Sequence, residues 1–172
     1  MYFDWRYFNM ETKQKIVKTA KACGIISKVL YILSCVVCLA FIVLAIVLPL
    51  TNAIDTVSNG ETAVTFATFA LYAFVCIGLL WNIEGLFKAI VKEQSPFTER
   101  VSHYLKKVAV FVIVLSVVPA LIGSTVMQIV NPETETVFPI ELGGIIAGVV
   151  LFLVGLFFNY GKELQDKDDE TL

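Results

Sequence analysis

The stretch VLYILSCVVCLAFIVLAIVLPL, residues 29–50, decides the fold: fifteen of its residues are Leu, Ile, Val or Phe, and none is charged. At about −0.3 to −0.6 kcal/mol for each such residue at a membrane-helix centre, its insertion is favoured by several kcal/mol. A helix rising 1.5 Å per residue needs about 20 residues to cross roughly 30 Å of hydrocarbon, and this stretch is long enough. Working outward, its charge-free run continues to residue 54, and three further runs follow at 62–83, 108–132 and 142–161. They predict spans of about 29–52, 62–83, 108–130 and 142–161. The last is diluted by Gly143, Gly144, Gly148 and Gly155, but glycine is commoner in membrane helices than in soluble ones.

Composition agrees. Of 172 residues, 58% are hydrophobic and 16% charged, with a mean hydropathy of +0.80. Soluble domains average about 25% charged residues, so a soluble globule is excluded. A disordered chain would be poor in Leu, Ile, Val and Phe, and a disulfide scaffold would carry far more than four cysteines. The first apolar run starts too late and runs too long for a cleaved signal peptide.

Basic residues set the orientation, because Lys and Arg accumulate in short loops that stay cytoplasmic. Six precede the first span (Arg6, Lys13, Lys15, Lys18, Lys21, Lys28), five lie between spans two and three (Lys88, Lys92, Arg100, Lys106, Lys107), and Lys162 and Lys167 follow the fourth. The other two connections hold none, only Asp55, Glu61, Glu133, Glu135 and Glu141. This partition predicts a multi-pass protein of the cell membrane with both termini in the cytoplasm. Behind a net charge of −2 stand thirteen bases and ten acids inside, against five acids outside. Both outer connections are about 11 residues long, too short for an external domain. Function is therefore expected within the lipid bilayer or on the cytoplasmic face.

Three cytoplasmic parts are predicted: an aromatic and basic arm over 1–28, a loop over 84–107, and an acidic tail over 162–172. The arm carries Tyr2, Phe3, Trp5, Tyr7 and Phe8, then Ile16, Ala20 and Cys23 on one face and Lys15, Lys18 and Lys21 on another. Aromatics favour the headgroup region and basic residues favour anionic lipid, so membrane-surface attachment is the simplest role. No recognition motif points to direct binding of nucleic acid. In the loop, Ser95, Pro96, Phe97 and Thr98 supply capping hydroxyls and a proline suited to a first turn. Val101, Tyr104, Leu105 and Val108 then recur at helical spacing, with Glu99, Arg100, Ser102, His103, Lys106 and Lys107 on the opposite arc. The pattern predicts an interfacial amphipathic helix running into span three, either as an anchor or as a partner-docking surface.

Chemistry is sparse. No run contains a charged residue, which argues against a proton-coupled pump or an intramembrane protease; Asn82 and Glu84 fall where span two should emerge. Cys35 and Cys38 form a C-x-x-C inside span one, away from the accessible, low-pKa setting of thiol exchange, and read as packing residues, as does Cys76. Cys23, near the inner boundary, is a weak acylation candidate. A metal site would need histidine and acid partners together, and the one histidine, His103, falls on the solvated face of the loop helix. No catalytic, cofactor-binding or metal residue is predicted, and an enzyme is not expected. The most informative packing signal is in span four, where Gly144, Gly148, Gly155 and Asn159 line one face. Such a face admits close approach, either by a neighbouring helix of the same chain or by a second copy in a homo-oligomer. Pro119 is expected to kink span three.

Two motifs together resemble a known family. The Ser95-Pro96-Phe97-Thr98 element and the ending Gly161, Leu164, Gln165, Asp169, Thr171 and Leu172 resemble bacterial membrane proteins grouped as domain of unknown function 2975. Ser95 stands where that family is expected to carry glycine, and the aromatic arm is longer than usual. The resemblance implies four spans and no established activity. Because its members are often encoded beside a small helix-turn-helix regulator, it also implies a cytoplasmic regulator protein as partner. The fold class expected is all-α and polytopic, with four transmembrane helices in two hairpins. The function expected is non-enzymatic interaction or sensing and regulation at the cytoplasmic face; the competing one is a small transporter or channel subunit, or an immunity-type protein, assembled through span four.

Overall fold

A computed structural model describes residues 5–50, 56–95, 97–132 and 140–170, without the side chains of 5–13, 56–59, 164–166 and 168–170. Among these residues the chain is all helical: α1 (Trp5–Leu50), α2 (Thr56–Glu93), α3 (Glu99–Val130) and α4 (Leu142–Glu170). Within them Gln14–Leu50, Gly60–Glu93, Glu99–Val130 and Leu142–Glu163 are long and apolar enough to cross a membrane. At 1.5 Å per residue the first of these is roughly 55 Å long, well beyond the hydrocarbon thickness. The helices therefore continue past their apolar windows at the basic end. The arm from Trp5 is the beginning of α1, and the tail as far as Glu170 is the end of α4.

Helix ends follow local chemistry. Thr98 caps α3, its hydroxyl accepting from the Val101 N–H at 3.3 Å and its carbonyl from the Ser102 N–H at 3.0 Å. The same helix closes where the Asn131 N–H donates to the Met127 carbonyl at 2.8 Å. The chain leaves α2 through Gln94 at φ 53°, a left-handed conformation that glycine adopts more cheaply. Helix α3 starts only at Glu99, so its first turn does not begin at Pro96, which lies outside the described residues. It continues through Pro119 as a single helix.

The helices pack in series. Among the described residues α1 touches only α2, α2 also touches α3, and α4 touches only α3. Each neighbouring pair runs antiparallel. On α1 the seam is Ala20, Gly24, Ser27, Tyr31, Ser34, Cys38, Phe41 and Ala45, at alternating steps of four and three, each buried or half-buried. This is the spacing at which two helices mesh along a shallow left-handed crossing. Across it the Ser27 and Ser34 hydroxyls donate to the carbonyls of Leu80 and Ala73, each at 3.3 Å, and the Cys38 thiol to that of Ala70 at 3.5 Å. Phe41 lies against Phe66 and Phe69, with ring centroids 6.2 and 5.5 Å apart.

Glycines bring α2 and α3 together. A methyl group added at Gly78 would lie 2.5 Å from the Phe111 ring, one at Gly85 2.5 Å from the Tyr104 ring, and one at Gly123 2.6 Å from Thr68. Near the other end the Asn131 amide donates to the Glu61 carboxylate. The outward faces carry bare aliphatic side chains: Leu39 is 64% exposed, Leu50 75% and Phe157 70%. In water such a surface would aggregate, whereas against lipid tails it is satisfied.

Candidate functional site: the basic end of α3 and α4

Span four's glycines decide how the site is built. Side-chain atoms added at Gly144 and Gly148 would run into Ser116 and Ile113, and the Ala109 carbonyl is 3.0 Å from the second position. At Gly155 the neighbours are Lys106 Cγ at 3.1 Å and the Ser102 carbonyl at 3.6 Å. The glycine face is thus filled by α3 of the same chain, and a second copy would have to use a different surface. Ser102, expected on the solvated arc of the loop helix, is instead almost fully buried, with its hydroxyl donating to the Gly155 carbonyl at 2.7 Å. In a packed membrane helix a hydroxyl is satisfied by turning toward a neighbouring backbone, so polarity there marks an interface. Val101 and Ala109 are also fully covered. The segment read as a loop over 84–107 consists of the end of α2, a short connection over 94–98, and the first turns of α3.

This alignment brings together two motifs that lie more than sixty residues apart in the chain. Phe97 meets Phe158 edge-on with ring centroids 5.2 Å apart, and its ring lies 3.2 Å from where a side chain at Gly161 would begin. Gly161 is therefore the residue that lets α4 pass under the Phe97 ring. Beside them Lys162 meets Glu99 at 3.5 Å, and Arg100 approaches Glu93 at 3.9 Å. Exposed pairs of this kind add little stability, about 0–1 kcal/mol each, but they orient the side chains of the rim.

Next to this junction is an open groove of about 750 Å³ whose walls include Glu93, Glu99, Arg100, His103, Lys106 and Lys162. Asn159, expected on the packing face, lies on the wall of this groove. Both signs of charge are represented, which suits a protein surface with its own alternating charges better than a polyanion. Among the described residues no group of three His, Cys, Asp or Glu side chains is placed to hold a metal ion. Of the tail motif, Gly161 sits in the junction and Leu164, Gln165 and Asp169 lie on the last turns of α4, their side chains outside the described residues, as are Thr171 and Leu172 altogether.

Glu84, at the basic end of span two, is buried and held by Lys88 at 2.8 Å, while the Asn82 amide donates to the Gly78 carbonyl at 2.8 Å. Both are satisfied within their own helix. All four cysteines are free thiols, with Cys38 in the α1–α2 seam. Sequence reasoning missed the α1 seam, the Gly78 and Gly85 pair and the inward turn of Ser102. Size at heptad steps was the available signal for the first two.

Compared with protein-family models, curated proteins and solved structures, the chain matches none.

Proposed function

We propose that this chain is a non-enzymatic protein of the bacterial inner membrane, with two helical hairpins and both termini in the cytoplasm. It acts by docking a cytoplasmic protein on the surface made by the α2–α3 connection and the end of α4. The first turns of α3 serve at once as interfacial segment and as one wall of that surface. The observation that carries this reading is the convergence of Phe97, Phe158, Gly161, Glu99 and Lys162 beside a groove of mixed charge. The resemblance to domain of unknown function 2975, which stands on its motifs alone, adds a helix-turn-helix regulator as the class of partner. Assembly as a transporter or immunity-type protein through span four finds no support, because α3 covers that glycine face.

A photoreactive side chain placed at His103 in living cells tests the reading. A discrete cytoplasmic protein should be captured there, should not be captured from the lipid-facing Phe157, and should be lost when Gly161→Leu separates the junction. Capture of lipid alone, or an adduct unchanged by Gly161→Leu, would overturn it. Orientation is checked by cysteines introduced at Asn59 and Ser95: in intact cells an impermeant thiol reagent should reach only the first.

A further inference from the structure

A second feature lies on the other side of the row, between α1 and α2. Lys28 immediately precedes the charge-free run of α1, and Glu84 immediately follows that of α2, so this level is the boundary between hydrocarbon and water. There the two helices leave a trough of about 410 Å³. Its walls bear four lysines, Lys21 and Lys28 two turns apart on α1, and Lys88 and Lys92 one turn apart on α2. Gly24, Phe87 and Val91 give it an apolar lining.

Among the described residues one of the four lysines is neutralised. Lys88 pairs with Glu84 at 2.8 Å, and among the described residues no carboxylate lies within ion-pair distance of Lys21, Lys28 or Lys92. Among the described residues α4 touches only α3, so it brings no carboxylate to this trough. Three uncompensated cations over an apolar channel, at the level of the headgroups, match an amphiphile with an anionic head and a hydrocarbon tail.

We propose that this trough is a binding site for an anionic glycerophospholipid, its phosphate held by Lys28 and Lys92 with Lys21 alongside, and an acyl chain lying over Gly24 and Phe87. A free phosphate ion would use the lysines but not the apolar lining. Gly24 is the residue that keeps the channel open: a side chain there would start 3.5 Å from Phe87 Cβ, a distance it could occupy, and would extend into the trough.

The test uses the full chain reconstituted in nanodiscs of phosphatidylcholine doped with phosphatidylglycerol, then extracted in mild detergent, with retained lipid counted by native mass spectrometry. Wild type should retain phosphatidylglycerol in preference to phosphatidylcholine, and excess inorganic phosphate should not displace it. At about fivefold per lysine, Lys28→Ala with Lys92→Ala should lower retention more than tenfold, while the Arg pair at the same positions restores it. Gly24→Leu should lower retention with no change of charge. Lys107→Ala with Lys167→Ala, an equal loss of charge on α3 and α4, away from the trough, should leave it intact. Circular dichroism on each sample shows that the helices are retained. The proposal fails if the Lys28 and Lys92 alanine pair retains as much lipid as wild type, or if the Lys107 and Lys167 control loses as much. It fails equally if inorganic phosphate displaces the lipid, or if an acidic protein and not lipid co-purifies in the trough.

Discussion

The α1–α2 and α3–α4 contacts are both antiparallel seams of small residues, but they are built on opposite devices. Between α3 and α4 the fit depends on missing side chains: Gly144, Gly148 and Gly155 leave room for Ser116, Ile113 and Lys106. Between α1 and α2 it depends on short polar side chains that reach across, from Ser27, Ser34 and Cys38 to carbonyls of α2. A seam of absences cannot tolerate additions, whereas a seam of weak reaching bonds loses little when any one is cut. The two halves should therefore respond very differently to mutation.

The largest effect is expected at Gly148→Leu. Its first added carbon would already sit 3.0 Å from the Ala109 carbonyl, a backbone atom that cannot step aside. Overpacking of this kind costs about 3 kcal/mol, read as a lower unfolding midpoint in detergent and as loss of crosslinking between cysteines placed on α3 and α4. Equal stability of Gly148→Leu and wild type would break the contrast at its root. Next, Ser102→Ala removes the one buried side-chain bond described in the α3–α4 seam and should cost about 1 kcal/mol by the same titration. Gln94→Gly should act in the other direction, stabilising by about 1 kcal/mol because it relieves a left-handed conformation at the end of α2. The smallest effects belong to the α1–α2 seam, where Ser27→Ala and Ser34→Ala should each cost about 0.5 kcal/mol. A loss above 2 kcal/mol at either serine would mean that the hydroxyl seam is the stronger device.

The four spans were legible because apolar length alone identifies a membrane helix, and hydropathy reads it directly. The partner of each span was not. On α1 both the inward and the outward faces are apolar, so contrast in polarity cannot find the seam. What separates Ala20, Gly24, Ser27 and Ser34 from Ile25, Val29 and Ile32 is size. Ser102 was misplaced for the complementary reason, since a polar residue beside lysines reads as solvated although its hydroxyl turns into the helix contact. Span four's glycine face was visible as a pattern, but whether another helix of the chain or a second copy would occupy it depended on the α3 register. The meeting of Phe97 with Gly161 depended on that same register, which no local pattern encodes.

The serial order of the helices has a further consequence. With α1 and α4 each touching a single neighbour among the described residues, the chain encloses no interior of its own: every helix has one side or another open to its surroundings. A route for ions or solutes through the bilayer would have to be walled by several molecules standing edge to edge. A single molecule is a partition in the membrane, with its lysines and arginines gathered along one rim.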